Sequence, residues 1–210
     1  MGVNMAGNCI CDDEACREAS KQEIIRRYFD ALNALAKGST SEKEAQKIEL
    51  LMNMAGITVT DRKVVIKALE RAKETDGPAA ALELRDGRII TGKTTNLLGA
   101  SAALLLNVLK VLAGIDHETH IISPESIEPI QKLKVDYLKS KNPRLHTDEV
   151  LIALSASAAT NPQARLALSQ LPELAGCQAQ TSVMLSDVDI KIFKKLEVQL
   201  TSEAVYEHAL

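Results

Sequence analysis

The first 77 residues carry three stripes of apolar positions spaced three and four residues apart, which is the spacing of one helix face. Each stripe follows residues that can cap a helix N-terminus: Asp12 or Asp13, Ser41, and Thr60 or Asp61. The segment Asp76-Gly77-Pro78 then interrupts the pattern, because Gly and Pro disfavour a continuing helix. We therefore predict a helical segment of three helices over residues 1–77.

The pattern changes after residue 78, where short apolar runs alternate with helical stripes. Residues 80–84 and 88–91 flank Arg85-Asp86-Gly87, which is a strong hairpin signal. A long apolar helix follows from about residue 94 to 113, and a short strand is predicted at 120–122. Alternating strands and helices favour a sheet covered by helices on both faces. The fold class predicted for residues 78–210 is thus α/β, an α/β/α sandwich with a mixed sheet.

The amino-acid composition limits which classes of binding partner the protein could have. Aromatic residues make up only 2% of the chain, which disfavours base-stacking platforms for single-stranded nucleic acid. The net charge of −3 leaves no broad positive field for DNA or an anionic membrane. No apolar run is long enough for a membrane helix, and the 4 cysteines do not resemble a disulfide framework. We predict a cytoplasmic protein that binds neither nucleic acid nor membrane.

The residues Gly87 to Thr94 match the spacing of a phosphate-binding loop, with Lys93 and Thr94 at its end. In that interpretation Lys93 contacts the outer phosphates, Thr94 holds magnesium, and Asp187 supplies a second metal contact. The alternative is a hairpin strand, since the β-branched pair Ile89-Ile90 prefers extended backbone. The hairpin is the favoured interpretation, and it predicts no nucleotide cofactor.

Two further clusters resemble metal sites without completing one. Cys9, Cys11 and Cys16 are three thiols where a structural zinc site needs four ligands, so free thiols are favoured. His117 and His120 are three residues apart, but the stretch resembles the entry to a strand, and a surface turn is the default interpretation. We predict no metal site.

The segment Asn142-Pro143-Arg144-Leu145-His146 is the most site-like part of the sequence. It places an amide, a guanidinium and an imidazole on a loop just before a helix N-terminus, whose dipole favours an anion. We predict that Asn142, Arg144 and His146, together with Lys93 and Thr94, bind a small anionic ligand. The alternative is a capped turn whose polar side chains are satisfied by their neighbours.

Four segments of the sequence are similar to a known bacterial family. They are residues 1–5, Lys21-Gln22-Glu23-Ile24-Ile25-Arg26-Arg27-Tyr28, Lys47-Ile48-Glu49-Leu50-Leu51-Met52-Asn53 and Asn142-Pro143-Arg144-Leu145-His146. The chain resembles the C-terminal part of domain of unknown function 1846, whose members are sometimes described as ATP-dependent peptidases. The resemblance implies a sandwich with cytidine-deaminase-like topology that lacks the zinc motif. It also implies a longer protein whose N-terminal half is the partner of this chain.

These observations predict a protein of unknown function, the C-terminal piece of a larger bacterial protein. Its favoured role is to support the other half, to supply a ligand half-site, or to form a homo-oligomer through the small-residue stretch 153–159. The alternative is an ATP-binding enzyme domain that uses residues 87–94. The sequence alone leaves open whether the chain is an enzyme, because no complete catalytic set can be assembled without the fold.

Overall fold

The computed structural model describes residues 12–207. Their contacts divide the chain into two compact units, residues 1–62 and residues 63–210. The first unit contains helices, and the second contains a four-stranded sheet and the remaining helices.

The first unit is built from α1 (Asp13–Ala36) and α2 (Glu42–Ala55), which pack against each other. Asp12 caps α1 by accepting a hydrogen bond from the backbone N–H of Ala15. Gly56 ends α2 in the left-handed conformation that glycine adopts without strain. A short 3₁₀ turn, Val59–Asp61, closes the unit.

Arg62 is the fully buried charge of this unit, and its guanidinium donates a hydrogen bond to the side-chain oxygen of Gln22 at 3.2 Å. The side-chain amide of Gln22 in turn donates to the carbonyl of Asp61 at 3.1 Å. A buried charge needs such partners to offset its lost hydration.

The second unit is organised around a sheet whose strands lie in the order β2-β1-β3-β4. The strands are β1 (Ala79–Glu83), β2 (Ile89–Lys93), β3 (Gln178–Thr181) and β4 (Gln199–Ser202). β1 is antiparallel to both β2 and β3, whereas β3 and β4 are parallel, so the sheet is mixed as predicted. β2 lies at one edge of the sheet.

Helices cover both faces of this sheet. Helix α3 (Lys63–Thr75) packs with Val64 and Ala68 against Ala81, while the alternate residues Ala80 and Leu82 face a larger core on the other side. That larger core receives the other helices: α4 (Ala100–Leu112), α5 (Pro124–Lys132), α6 (Thr147–Ser157), α7 (Pro162–Leu168) and α8 (Asp187–Lys195). The period-two alternation of β1 thus divides the unit into the layers of an α/β/α sandwich.

Two details bear on the sequence-based expectations. The third predicted helix, α3, packs on the sheet, and the chain divides into its compact units after residue 62, while the domain boundary predicted at residue 77 stays a prediction. The predicted strand at 120–122 is irregular backbone, although Ile121 and Ile122 are buried as a strand pattern would require. Apolar burial alone does not distinguish a short strand from a buried loop. The cytidine-deaminase-like topology stays a prediction.

Candidate functional site

The segment that matches a phosphate loop is a β-hairpin. Gly87 has φ +83° in the turn, and residues Ile89–Lys93 form strand β2, paired with β1. The backbone N–H of Thr94 donates to the carbonyl of Pro78 at 2.8 Å, which continues the pairing past the strand end. The backbone of this segment is therefore extended and does not curl into a nest of N–H groups around a phosphate.

Gly92, which the phosphate-loop pattern also contains, has a packing role. A Cβ atom at this position would lie 2.2 Å from the backbone nitrogen of Leu104 and 2.9 Å from the carbonyl oxygen of Ala100. Strand β2 and helix α4 approach so closely here that only glycine fits.

A cavity of about 520 Å³ lies along edge strand β2, helix α4 and the irregular segment before α5. Its volume is within the range of roughly 300–1,000 Å³ that is typical of small-molecule sites. Apolar side chains form much of the wall: Ile89, Ile90, Leu97, Leu98, Ala103, Leu106, Val111, Ile121, Ile122, Pro124 and Ile127. The second unit therefore contains a concave, largely apolar space of ligand size.

The titratable side chains of this cavity are all basic. They are Arg71, Lys93, Lys110, His117 and His120, and no Asp or Glu occurs among the described lining residues. Arg71 is paired with Glu74 at 3.1 Å and His117 with Glu118 at 3.1 Å, both towards the surface. The arrangement favours a ligand that carries negative charge.

Lys110 is the buried charge of the cavity, with only 8% of its surface exposed. Its Nζ donates a hydrogen bond to the backbone carbonyl of His117. Within residues 12–207, no carboxylate lies within ion-pair distance of this amine. Burial lowers the pKa of Lys110, against the opposite effect of the Asp116 and Glu118 carboxylates.

Asn107 fixes the relation between α4 and the edge of the sheet. Its side-chain amide donates to the backbone carbonyl of Thr91 at 2.9 Å. In an antiparallel pair alternate residues direct their backbone groups away from the partner strand, and at an edge these groups need other partners. The bond from Asn107 satisfies one of them and holds the cavity wall in place.

The loop predicted to bind an anion lies behind the Leu97–Leu98 side of the cavity wall. The Leu145 N–H donates to the Leu97 carbonyl at 2.9 Å, and the Gly99 N–H donates to the Leu145 carbonyl at 3.2 Å. None of the three predicted loop side chains lines the cavity.

Neighbouring groups satisfy the polar side chains of this loop. The Asn142 side chain accepts from the backbone N–H of Arg144 at 3.1 Å, and the Arg144 guanidinium pairs with Glu207 at 2.7 Å. Lys134, also buried, donates to the Arg144 carbonyl at 2.6 Å and to Glu149 at 2.8 Å. These contacts match the capped-turn alternative that the sequence left open.

His146 and Asp189 form a hydrogen-bonded ion pair in the second unit. His146 Nδ1 lies 3.0 Å from Asp189 Oδ2, and the Asp189 side chain is 5% exposed. The carboxylate also accepts from the Thr147 N–H at 2.9 Å, the Thr147 hydroxyl at 2.8 Å and the Ser186 hydroxyl at 2.8 Å. Asp189 therefore links the N-termini of α6 and α8.

This network determines the charge of both partners. Burial alone would raise the pKa of Asp189, but the hydrogen bonds from His146, Thr147 and Ser186 outweigh it and lower the pKa from 3.8 to about 2. The hydrogen bond to Asp189 raises the pKa of His146 above 6.5, despite the opposing effect of burial. The pair is thus most stable as a carboxylate and an imidazolium.

We expect the free energy of unfolding to depend on pH at both ends of the range. The lowered pKa of Asp189 contributes stability above pH 3.8, and this contribution is lost as the pH falls towards about 2. The raised pKa of His146 contributes stability below pH 6.5, and this contribution is lost as the pH rises through the pKa of His146 in the folded chain. Urea unfolding between pH 2 and pH 9 measures both slopes.

The variant His146→Asn should remove the slope above pH 6.5 and reduce the acid slope without abolishing it, because Thr147 and Ser186 still donate to Asp189. His117→Asn, which changes an exposed histidine, is the matched control and should keep both slopes. An unchanged slope above pH 6.5 in His146→Asn would contradict the assignment of that slope to this pair.

The structure separates the five predicted site residues. Lys93 lines the cavity, Thr94 continues the strand beside it, and Asn142, Arg144 and His146 lie in the loop behind the wall. Sequence reasoning missed Lys110, although a lysine inside the apolar run of α4 was a usable signal. It treated His117 and His120 as a surface turn, and both are exposed there, but they also line the cavity.

The predicted cysteine cluster falls partly outside the described residues, since Cys9 and Cys11 precede residue 12. Cys16 is a half-buried free thiol on α1, and Cys177 is a buried free thiol. Between residues 12 and 207, no helix combines the length and the apolar character that crossing a membrane requires.

Comparison with known families gives two consecutive matches. The family described as domain of unknown function DUF1846, C-terminal, matches residues 60–210. The one described as domain of unknown function DUF1846, N-terminal, matches residues 1–56. The junction between the matches lies close to the boundary between the two compact units.

Curated relatives extend along nearly the whole chain. A UPF0371 protein of Corynebacterium aurimucosum is 59% identical over 206 residues, which are 98% of this chain and 41% of the relative. A UPF0371 protein of Streptococcus thermophilus is 49% identical over 208 residues, 99% of this chain and 42% of the relative. The chain therefore spans less than half the length of these relatives.

These matches correct the resemblance drawn from the sequence. The similarity to the C-terminal part is confirmed, but restricting it to that part was wrong, because residues 1–56 match the N-terminal family description. The names of these relatives state no activity, so the description as ATP-dependent peptidases has no support from them.

Proposed function

Because this chain belongs to the family of domain of unknown function DUF1846, whose name assigns no reaction, we propose a function from its cavity: the second unit binds a small organic anion with an apolar body. The observation that carries the proposal is Lys110, a buried amine in a cavity of about 520 Å³ with no carboxylate partner among residues 12–207. A buried charge without a counter-ion is costly, and a bound anion offsets that cost.

The cavity has two parts that match the two parts of such a ligand. Its apolar wall, with Leu97, Leu106 and Ile127, suits a hydrocarbon body, and burial of that body supplies most of the affinity. The basic groups suit a carboxylate or phosphate, with Lys110 inside and the exposed Lys93 at the rim. The charge of the ligand thus sets its orientation in the cavity, and apolar contact supplies most of its affinity.

This proposal keeps the ligand-binding role predicted for Lys93 and moves the centre of the site from the loop to the cavity. Binding at Thr94, Asn142, Arg144 and His146 stays a separate prediction, as do the roles in oligomerisation and in supporting a longer protein. The extended backbone of β2 argues against the alternative in which residues 87–94 bind ATP.

Thermal unfolding with octanoate, octanol and octylamine tests the proposal. These probes share an apolar body and differ in charge, so we expect the midpoint to rise most with octanoate and not to rise with octylamine. A ligand at about 100 times its Kd stabilises the native state by about 2.7 kcal/mol, which is a readily measured shift. Mg-ATP is included in the series and should give no shift.

The variant Lys110→Met keeps the length of the side chain and removes its charge, so it should abolish the preference for octanoate over octanol. Lys191→Met changes an exposed lysine on α8 and is the matched control, which should respond as the unaltered chain does. Equal shifts with all three probes, or an excess of the octanoate shift over the octanol shift that survives Lys110→Met, would contradict the proposal.

A further inference from the structure

Two buried lysines of the second unit differ in their partners. Lys134 donates to the Glu149 carboxylate at 2.8 Å and to the Arg144 carbonyl at 2.6 Å, so its amine lies beside a full counter-charge. Lys110 is equally buried, but among residues 12–207 its amine donates only to the neutral carbonyl of His117. Lys110 therefore lacks the adjacent carboxylate that Lys134 has.

The other charged side chains around Lys110 also affect whether its amine is protonated. Asp116 and Glu118 favour its ammonium, but both are exposed. The other titratable side chains that line the cavity are all of basic type: Arg71, Lys93, His117 and His120. Desolvation in an apolar cavity is a setting in which a lysine amine becomes a nucleophile.

We propose that Lys110 forms an imine with the carbonyl group of an aldehyde or ketone that enters the cavity. The proposal rests on the proposed function, since it requires that the cavity admits a ligand, and it adds the reactive class of that ligand. It gives the buried amine a covalent role in addition to an electrostatic one.

The step balances with the two reactants alone. The neutral Nζ attacks the carbonyl carbon, a C–N bond forms as the C=O π bond breaks, and one amine proton moves to the oxygen to give a carbinolamine. Its C–O bond then breaks, and the oxygen leaves as one water molecule whose two hydrogens are the former amine protons. Protonation of the imine gives an iminium whose N–H retains the donor function that Lys110 now directs at the His117 carbonyl.

Reductive trapping tests the proposal. The whole chain is incubated at neutral pH with octanal or 2-octanone and sodium cyanoborohydride, which reduces an iminium to a stable secondary amine. Peptide mass spectrometry then gives the rate of modification at each lysine. We expect Lys110 to react severalfold faster than the exposed Lys191, and Lys134 to stay unmodified.

Two controls distinguish the reactivity of the Lys110 amine from its accessibility to the reagents. In urea-unfolded chain the three lysines should react at similar rates, and Lys110→Arg should keep the fold by circular dichroism while losing the fast site. The proposal is overturned if Lys110 reacts no faster than Lys191 in the folded chain.

The octanoate melting series identifies which proposal has failed. A charge-dependent octanoate shift with an unreactive Lys110 would overturn the imine and leave the anion site intact. Fast trapping at Lys110 with no octanoate shift would support the imine and contradict the anion preference. Neither response would overturn both proposals.

Discussion

Gly92→Ala is expected to destabilise the second unit by more than about 3 kcal/mol, beyond the usual cost of overpacking. The new Cβ would lie 2.2 Å from the nitrogen and 2.5 Å from the Cα of Leu104, and 2.9 Å from the carbonyl oxygen of Ala100. All three atoms belong to the backbone of α4, so no side-chain rotation relieves the contact. The helix must move away from β2 as a body, which opens the core around it.

Urea unfolding followed by circular dichroism measures this loss. Gly77→Ala is the matched control, because a Cβ there meets only the Thr75 carbonyl oxygen at 3.8 Å, an ordinary contact. We expect the control to change the free energy of unfolding by less than about 0.5 kcal/mol, as surface substitutions usually do. A Gly92→Ala chain as stable as the control would contradict the close approach of strand and helix.

Asp189→Ala is the second substitution with a large expected effect, a loss of about 3–5 kcal/mol. Removal of the carboxylate leaves the Thr147 N–H and hydroxyl, the Ser186 hydroxyl and the His146 ring without their acceptor. Each buried donor left unsatisfied costs about 1–3 kcal/mol. The N-termini of α6 and α8 lose their shared anchor at the same time.

Asp187→Ala, two residues earlier in the same helix, is the matched control. Asp187 is exposed in the first turn of α8, where a carboxylate contributes about 0.3–1 kcal/mol through the helix dipole. Chemical denaturation of both variants at pH 5, where Asp189 is ionised in the folded chain, compares them directly. Similar losses for the two variants would show that the buried network is not what stabilises this helix pair.

Much of the local structure follows from the sequence because its causes are local. Asp12 caps α1 as predicted, and the Arg85-Asp86-Gly87 turn joins two strands. The β-branched Ile89-Ile90 pair is extended, which the preference of such side chains predicts. The amphipathic stripe of α3 also predicted a helix, but the stripe does not say whether its partner is another helix or a sheet.

The candidate site depends on contacts that a local sequence pattern does not contain. The loop Asn142–His146 was predicted as a site because it concentrates polar groups. In the fold, His146 contacts Asp189, 43 residues away, and Arg144 contacts Glu207, 63 residues away. A short motif does not reveal that distant carboxylates already satisfy it. The sequence shows Lys110 as a single lysine within an apolar helix, but its burial depends on how that helix packs in the fold.

The sequence by itself determined the helices, the hairpin, the mixed α/β class and the family, since these depend on periodicity, turn chemistry and the order of residues along the chain. Only the tertiary structure decided which buried charges have counter-ions. It paired Lys134 with Glu149 and His146 with Asp189, and it enclosed Lys110 in a cavity lined by basic and apolar groups. Charge pairing acts through space over a few ångströms, and neighbours in space are fixed by the packing of helices on the sheet.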